Sequence, residues 1–576
     1  MDAQVKKAPR GKNDRIILQF VRGPSLPRLY HGANPYSAQD YDCFYAQVLE
    51  HKNPALKNQP LGVRQKNILA TCNYNARRLG VRKLMLASEA KRLCPDLVLV
   101  NGEDLTPFRD VSKILFNFLR SHSWNNKVER LGFDEVFMDV TDIVDYNMFC
   151  LNRACLSDSF FYLSRDDPLV GFGCDLTSIA GCMEGSVPQG FDIENPLYLR
   201  LLLGSHLAMH LRLKIEQEFG YTSTCGISTN KLLSKLVGAR NKPRNQTTLV
   251  AFTEQDVVGF IDQHALRKVP GIGFKSGLLL EAHITSKQQG PDSHSSDVTV
   301  TAGQVRLHPS IALGFLETLL GGPGSERGIG ARVWGLLHGV DPAEVKEATD
   351  FPAQISIEDT YKGLEAVASI TSELRKLSRS LVRRMRIELL VNDPPGAATS
   401  QRWIARPRTL RLSIRSWPRP NGSQNFSRVS RSTALPSFVF DTNVDVVQIA
   451  ERLVAESLLP LFHRFEGNKD HQWNLQLINI CVANMAPGAT EDKAGVGRDI
   501  SVMFKNQYET LRPFRITSTS DEETEATQES PPLLFAEEPD ADQSWGDTKI
   551  PPCPVCSHAI PLFAQAAHAR YHELED

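Results

Sequence analysis

The chain has 576 residues, 41% of them apolar, and a formal net charge of −1. That length suits several domains, the apolar share is that of a globular protein, and no apolar run approaches the twenty residues of a membrane-crossing helix. The near-neutral total hides a segregation, because residues 361–440 hold 15 Lys and Arg against 4 Asp and Glu, whereas 521–550 hold 10 acids against 1 Lys. A basic segment and an acidic one point to a polyanion partner and a solvated linker. The N-terminus lacks the charged-then-apolar layout of a signal peptide, and the cysteines are scattered apart from one terminal pair. Both features suit a reducing compartment.

Residues 1–14 are polar and basic and read as disordered. Lys6, Lys7, Arg10, Lys12 and Arg15 suit nuclear import or a solvated tail. Arg15 to Phe20 reads as a buried strand. From Val21 to Gln39 the residues Pro24, Pro27, Gly32 and Pro35 break regular structure. Asp40-Tyr41-Asp42-Cys43-Phe44-Tyr45-Ala46-Gln47-Val48 then sets two acids before two aromatics and a helix-like run. Gly62–Lys66 and Ile68–Thr71 read as strands, and Cys72–Val81 as a turn into a helix. Tyr74 and Arg77 share a face of that helix. A phenol beside a guanidinium suits a triphosphate, and an exposed Arg beside a half-buried Tyr is the plainer alternative.

Glu129-Arg130-Leu131-Gly132-Phe133-Asp134-Glu135 leads into Val136-Phe137-Met138-Asp139. The alternation predicts a hairpin into a strand, with Gly132 supplying the tight turn. Asp134 and Glu135 are adjacent carboxylates at the strand mouth. A pair of divalent cations that clamps a triphosphate needs hard carboxylate oxygens from separate segments, and Asp40, Asp134 and Glu135 supply three. A solvated turn with two acids is the bland alternative. Tyr198 to Phe219 has leucines at helical spacing. Phe149 to Gly190 reads as loop-rich and carries no assigned role.

Cys225 to Val237 predicts a strand ending at Gly226 and a helix starting near Ser228, with Lys242-Pro243 beyond it. Lys231 and Lys235 read as structural or DNA-proximal. Val269-Pro270-Gly271-Ile272-Gly273 reads as the hairpin of a helix-hairpin-helix, whose glycines let backbone amides approach a DNA phosphate. Residues 286–305 read as a surface insertion. Residues 353–485 read β-α-β-β-α-β, with strands at Gln354–Ile357, Thr409–Arg415, Ser437–Phe440 and Trp473–Ala483 and two backing helices. Arg402, Arg406, Arg408, Arg411, Arg415 and Arg428 are expected on the sheet side, gripping a nucleic-acid backbone. Ile500, Met503 and Phe504 have the spacing of a hydrophobic plug for a sliding clamp, with Gly497 where a glutamine is usual. Cys553, Cys556, His568 and His572 form C-x2-C-x11-H-x3-H, which is zinc-finger spacing.

D-x-D-C-F-Y-A-Q-V followed by E-R-L-G-F-D-E resembles the Y-family DNA polymerases, the lesion-bypass class, over residues 40 to 485. N-Y-x-A-R-x-x-G-V and G-I-S-x-N-K add to the resemblance. It implies an α+β multidomain, right-handed polymerase. Its parts are an N-terminal tail and first palm segment (1–52, with an atypical insert at 21–39), fingers (53–104), palm (105–249), thumb with the helix-hairpin-helix (250–350) and little finger (351–487). An acidic disordered linker (488–550) and a CCHH zinc finger (551–576) complete the chain. It further implies two Mg²⁺ or Mn²⁺ ions on Asp40, Asp134, Glu135 and the Tyr41 carbonyl, with one Zn²⁺ at the C-terminus. Cys43, Phe44, Tyr45, Thr71, Tyr74, Arg77 and Lys242 would contact the deoxynucleoside triphosphate, Tyr45 excluding a 2′-hydroxyl. Gly271, Gly273, Arg408, Arg411 and Arg415 would contact primer-template DNA. The expected activity is error-prone translesion synthesis in the nucleus.

The terminal finger resembles the ubiquitin-binding fingers of bypass polymerases, with Arg570 where an acid is usual. Deleting 21–39 gives R-I-I-L-Q-F-D-Y-D-C-F-Y-A, a close match to the family. Every valine codon starts with GT, one glutamine codon ends in AG, and Ala33-Asn34 can encode a CTAAC branch point, so 21–39 reads as a translated intron. A real surface loop is the alternative, and a catalytically impaired scaffold at stalled forks is the alternative function.

Overall fold

A computed structural model of the chain describes residues 15–23, 43–185, 194–286, 300–322, 325–392, 401–417, 428–465 and 473–487. Asp40, Tyr41, the Ile500, Met503 and Phe504 plug, and Cys553, Cys556, His568 and His572 lie outside the described residues.

The chain is mixed α+β. β1 (Ile17–Gly23) leads to α1 (Phe44–Lys52) and then to a small module of β2 (Leu61–Gln65), β3 (Ile68–Cys72), α2 (Tyr74–Arg78), α3 (Ala87–Leu93) and β4 (Val98–Asn101). Its sheet runs β3-β2-β4, over its own core of Leu69, Cys72, Ala76, Val81, Ala90, Cys94 and Leu97. Next come α4 (Thr106–Ser121), β5 (Val128–Leu131), β6 (Glu135–Asp139), α5 (Thr141–Cys150), β7 (Ser159–Tyr162), β8 (Gly171–Cys174) and β9 (Cys182–Glu184). α6 (Pro196–Phe219), β10 (Thr222–Ser228), α7 (Lys231–Val237) and β11 (Gln246–Leu249) follow.

Six strands make the main sheet in the order β5-β6-β1-β10-β11-β9, with β1 antiparallel to both β6 and β10. Strand alternation sorts the side chains. Leu18, Phe20, Val136 and Met138 enter the core with Leu199, Leu202, Leu207 and Leu211 of α6. Ile17, Gln19, Val21, Glu135, Phe137 and Asp139 take the other face. Each fully buried leucine contributes about 1.5–3 kcal/mol, so the leucine stripe fixes α6 under the sheet. The segment read as loop-rich contains the β7–β8 hairpin, and β9 joins the main sheet beside β11. Three residues are too few to show a period in sequence.

The helix after β10 starts later than expected. Its cap is Asn230, whose side chain accepts from the Leu233 amide at 2.9 Å, and the strand runs on to Ser228. α7 lies directly on β10: a Cβ at Gly226 would sit 2.0 Å from the Ser234 carbonyl oxygen and 2.5 Å from the Gly238 nitrogen. Both are backbone atoms with nowhere to go. Gly226→Ala is therefore expected to cost at least about 1–3 kcal/mol, read as a lowered thermal midpoint, and unchanged melting would mean that α7 can shift freely.

α8 (Glu254–Asp262), a 3-10 turn at Leu266–Lys268, α9 (Phe274–Ser286), α10 (Ala302–Arg306), α11 (Leu313–Leu320) and α12 (Ile329–Leu337) form a helical segment with its own core. The end of the expected surface insertion belongs to that core, because Val300, Ala302 and Val305 are buried in it.

The last unit holds β12 (Gln354–Leu364), α13 (Val367–Leu389), β13 (Leu390–Asn392), β14 (Gln401–Trp403), β15 (Ala405–Ser416) and β16 (Val429–Ala434). After these come α14 (Val446–Leu453), α15 (Leu459–His463) and β17 (Leu475–Pro487). Four strands pair in the order β12-β17-β15-β16, and α13 packs on the sheet. Ser437–Phe440 is a 3-10 turn rather than a strand, because β16 already holds the edge of β15. Glu388 of α13 ties this unit to α4, meeting Lys113 at 2.6 Å and Arg109 at 3.7 Å.

Candidate active site

The β5–β6 hairpin closes through Gly132, Phe133 and Asp134, with Leu131 paired to Glu135. Gly132 has φ +68°, a left-handed value that glycine adopts without strain. Asp134 therefore stands half-buried at the mouth of β6, and Glu135 opens the strand at 4% exposure. A buried carboxylate needs partners. The Gln19 amide of β1 donates to Oε1 at 2.9 Å, and the Lys235 ammonium of α7 donates to Oε2 at 2.8 Å. Val21 of β1 stands directly opposite Glu135 and is itself buried.

Nothing in the sequence pairs Gln19 or Lys235 with Glu135. A lone glutamine within the apolar run Ile16-Ile17-Leu18-Gln19-Phe20 was the available signal for the first. Lys235 lies one helical turn beyond Lys231, but nothing local says which carboxylate it meets. Lys231 takes a different acid, reaching Glu129 at 2.6 Å, and the Lys346 amide donates to the same carboxylate at 3.2 Å. Glu129 thus joins β5, α7 and the segment leading to the last unit.

Tyr45 of α1 is stacked on Phe108, with ring centroids 4.1 Å apart and planes 16° apart, and Phe133 lies 6.3 Å away. Burial, and then the negative charge of Asp134, push its phenol up to about 12. The ring is therefore within electrostatic reach of the hairpin carboxylate. Lys83 is also close: burial and the Lys268 charge hold its ammonium below the usual value, and Asp134 works the other way. Cys43 and Phe44 are buried at the start of α1, where the Gln47 amide donates to the Cys43 carbonyl at 3.0 Å. Asn73 caps α2, accepting from the Ala76 amide at 3.0 Å. That cap presents Tyr74 and Arg77 together, the guanidinium 5.1 Å from the ring centroid. Arg77 also interacts with Cys43 and Cys72, which raise its pKa against the effect of burial. Thr71 is next to Cys72 on β3. Lys242 is half-buried in the turn between α7 and β11.

Asp134 and Glu135 are adjacent hard oxygen donors of the kind a divalent cation takes, and a cation at Glu135 would compete with the Lys235 ammonium now on Oε2. Among the described residues no group of three or more His, Cys, Asp or Glu is placed to hold a metal. The third expected carboxylate, Asp40, is outside them. A cleft of about 310 Å³ lies instead near Arg15, Asn230, Leu233, Val257 and His338, at the other end of β1 from Glu135.

Two further surfaces carry the expected DNA contacts. Gly271 has φ +92°, and a Cβ there would come 2.7 Å from Leu336 Cδ1, whereas Gly273 faces open space. Val269 and Ile272 anchor this hairpin in the helical core. On β15, Leu410, Leu412 and Ile414 enter the core with α13, so Arg411, Ser413 and Arg415 alternate onto the face away from that helix, where Ser413 is buried and the two arginines are half-buried. Arg411 donates to Gln354 Oε1 at 3.0 Å. The six arginines do not share that face as expected. Arg406 lies over Phe440 at 5.5 Å, Arg402 is on the separate β13–β14 pair, and Arg428 is paired with Glu358 at 3.0 Å. Arg408 is exposed near the start of β15. Alternation in a sequence gives faces only within one strand, and these residues come from several segments.

Residues 39–239 match the impB/mucB/samB family, and residues 352–495 match the C-terminal domain of that family. The chain is 32% identical over 450 residues to DNA polymerase iota of Homo sapiens, covering 77% of this chain and 51% of that one. To DNA polymerase iota of Mus musculus it is 30% identical over 491 residues, covering 85% and 59%. To DNA polymerase iota of Drosophila melanogaster it is 42% identical over 252 residues, covering 43% and 31%. The chain thus spans about half the length of the human relative.

Proposed function

The chain belongs to the impB/mucB/samB family, the Y-family of DNA polymerases, and from that premise we propose that it carries out error-prone translesion DNA synthesis. It would add deoxynucleotides to a primer 3′-end opposite damaged template bases. The observation that carries the proposal is the Asp134–Glu135 pair at the mouth of β6, the second held by Gln19 and Lys235 and the first within electrostatic reach of Tyr45. We read the main sheet with α6 as palm, the β2–β4 module as fingers, the helical segment as thumb and the last unit as little finger.

Asp134 and Glu135 would hold Mg²⁺ or Mn²⁺, with Asp40 and the Tyr41 carbonyl as the remaining protein ligands. When bound, such ions lower the pKa of an attacking hydroxyl and neutralise a leaving pyrophosphate. The chain's own residues do the positioning. Gln19 and Lys235 keep the Glu135 carboxylate in one orientation. The Cys43 and Phe44 amides, at the start of a nine-residue helix, suit phosphate oxygens. Arg77, with Tyr74, Thr71 and Lys242, would grip the triphosphate, and Tyr45 would occupy the space that a 2′-hydroxyl needs. Gly271 and Gly273 would approach the duplex backbone from the thumb.

Primer extension on a template with a single damaged base tests the proposal. The expected result is insertion opposite the lesion, and extension that stops before it on every lesion tried would overturn the bypass assignment.

Arg411 and Arg415 would hold backbone phosphates along the face of the last sheet away from α13, and the exposed Arg408 would add a contact near the start of β15. Replacing Arg411 and Arg415 by Ala together is expected to weaken primer-template binding. The slope of log affinity against log salt should fall by up to about two units. An unchanged slope would mean that these arginines face away from DNA.

Cys553, Cys556, His568 and His572 would bind one Zn²⁺ with tetrahedral S₂N₂ geometry, with ubiquitin as the proposed partner of that finger. Ile500, Met503 and Phe504 would engage a sliding clamp, and a nuclear location belongs to the same proposal.

A further inference from the structure

Where α4 meets α13, four cations surround one carboxylate. Arg109 and Lys113 stand one turn apart on α4, and Arg384 and Glu388 one turn apart on α13, so each pair shares a helix face. Glu388 is buried and takes Lys113 on Oε2 at 2.6 Å, with Arg109 Nε 3.7 Å from Oε1. Arg130 of β5 lies over Phe116 of α4, its guanidinium carbon 5.5 Å from the ring centroid. Arg384 donates to the Ser356 carbonyl at 3.1 Å. Among the described residues Arg130 and Arg384 make no ion pair of their own. The charges nevertheless act on one another. Burial holds the Arg130 guanidinium below its usual value, Glu388 works the other way, and Arg109 adds to the lowering. Burial does the same to Arg384, with Arg109 and Arg130 adding to it against Glu388. The Arg109 charge also reaches Asp104, a carboxylate bonded chiefly by Thr106.

Positive charge is therefore in excess at this joint, and part of it is desolvated. Arg109 is only 8% exposed, and its Nε is buried without a hydrogen-bond acceptor among the described residues, as are Arg130 Nη1 and Arg384 Nε. A buried N–H without an acceptor is unfavourable, and so are like charges held together. A multiply charged oxyanion relieves both, and guanidinium forks match phosphate oxygens two at a time. We propose that the joint of α4, β5 and α13 is a phosphate-binding site. Arg109, Arg130 and Arg384, with Lys113, hold one phosphate group there and so fasten the last unit to the main-sheet domain. Entry is from the side of Lys113, whose side chain is 37% exposed. The recognition chemistry is the same for a free phosphate and for a phosphate of a nucleic-acid backbone. None of these residues belongs to the proposed catalytic or triphosphate-binding set, so the site goes beyond the polymerase reading.

The test follows the thermal midpoint of the full chain in low-millimolar inorganic phosphate against chloride at equal ionic strength, without divalent cations. The expected result is a saturable rise of about 2 °C or more in phosphate and none in chloride. Arg130→Gln combined with Arg384→Gln should abolish the rise, whereas Arg77→Ala, at the proposed triphosphate grip, should keep it. Glu388→Gln removes the competing acid and should tighten phosphate binding by about tenfold. A purely structural cluster would lose stability in that variant without gaining affinity. Primer-template duplex separates the two sources. For a backbone phosphate, the salt slope of duplex binding falls by about one unit in the double variant. For a free anion, the slope stays and the phosphate response alone is lost. Equal midpoints in phosphate and chloride together with an unchanged duplex slope would overturn the proposal, and so would a phosphate response that the double variant retains. If the double variant fails to fold, Glu388→Gln decides: unchanged or weaker binding of phosphate and of duplex sinks the idea.

Discussion

Asp134→Ala and Glu135→Gln are each expected to reduce primer extension by about a thousandfold or more while leaving duplex binding nearly unchanged. The size follows from the chemistry: a carboxylate that helps hold the catalytic cations supports several kcal/mol of transition-state stabilisation. Binding should survive because the proposed DNA contacts, Gly271, Gly273, Arg411 and Arg415, stand on other units. Glu135→Gln is the better variant at that position. It keeps the acceptor for Gln19, whereas Ala would strand the Lys235 ammonium, which is 28% exposed and now paired at 2.8 Å. Asp134→Ala carries an internal check, since removing its charge should bring the Tyr45 phenol down from its raised value. That shift would appear in an ultraviolet titration. Extension within about tenfold of the parent chain, in either variant, would remove these carboxylates from the metal assignment.

What could be read from sequence follows the range of the interaction. β6 was legible because Val136 and Met138 alternate with Phe137, and both faces are buried. α6 was legible from its leucines, and α2 from the turn-into-helix run Cys72–Val81 with Tyr74 and Arg77 three residues apart, whereas its Asn73 cap emerges only in the structure. The apolar segment Ser437–Phe440 misled, because pairing depends on which edge is vacant, and Val429–Ala434 had taken it. Lys235 is in contact with Glu135, and Lys231, one turn earlier, with Glu129; only the packing of α7 on Gly226 sorts the two. Glu388 is the same kind of case, an acid in a basic helix whose partners Arg109 and Lys113 belong to a distant segment. Composition could say that residues 361–440 are basic, but not that Arg406 is spent on Phe440 and Arg428 on Glu358.

Tyr45→Ala is expected to admit ribonucleotides. The ring is fixed rather than mobile: Phe108 stacks on one side at 4.1 Å and Phe133 closes another at 6.3 Å. A fixed ring cannot yield to an added hydroxyl at low cost, and overpacking of that kind costs about 1–3 kcal/mol, or roughly 5- to 150-fold in discrimination. Truncation to Ala removes the obstacle and also the stack on Phe108, worth about 0.5–1.5 kcal/mol, so some loss of thermal stability should accompany the change. Tyr45→Phe separates shape from hydrogen bonding. It keeps the ring and should keep the discrimination, because the phenol is not needed as an acid or base. The titration supports this. Burial and Asp134 push the phenol up to about 12, so it stays neutral in the folded chain through its ordinary range near 10. The stability tied to that neutral form is complete below about pH 10 and is lost only as pH rises through about 12. The ratio of deoxy- to ribonucleotide incorporation should therefore be flat between about pH 7 and about pH 9 in the parent chain. An unchanged ratio in Tyr45→Ala would place the barrier to the 2′-hydroxyl elsewhere, and a ratio that collapses in Tyr45→Phe would show that the hydroxyl, not the ring, does the excluding.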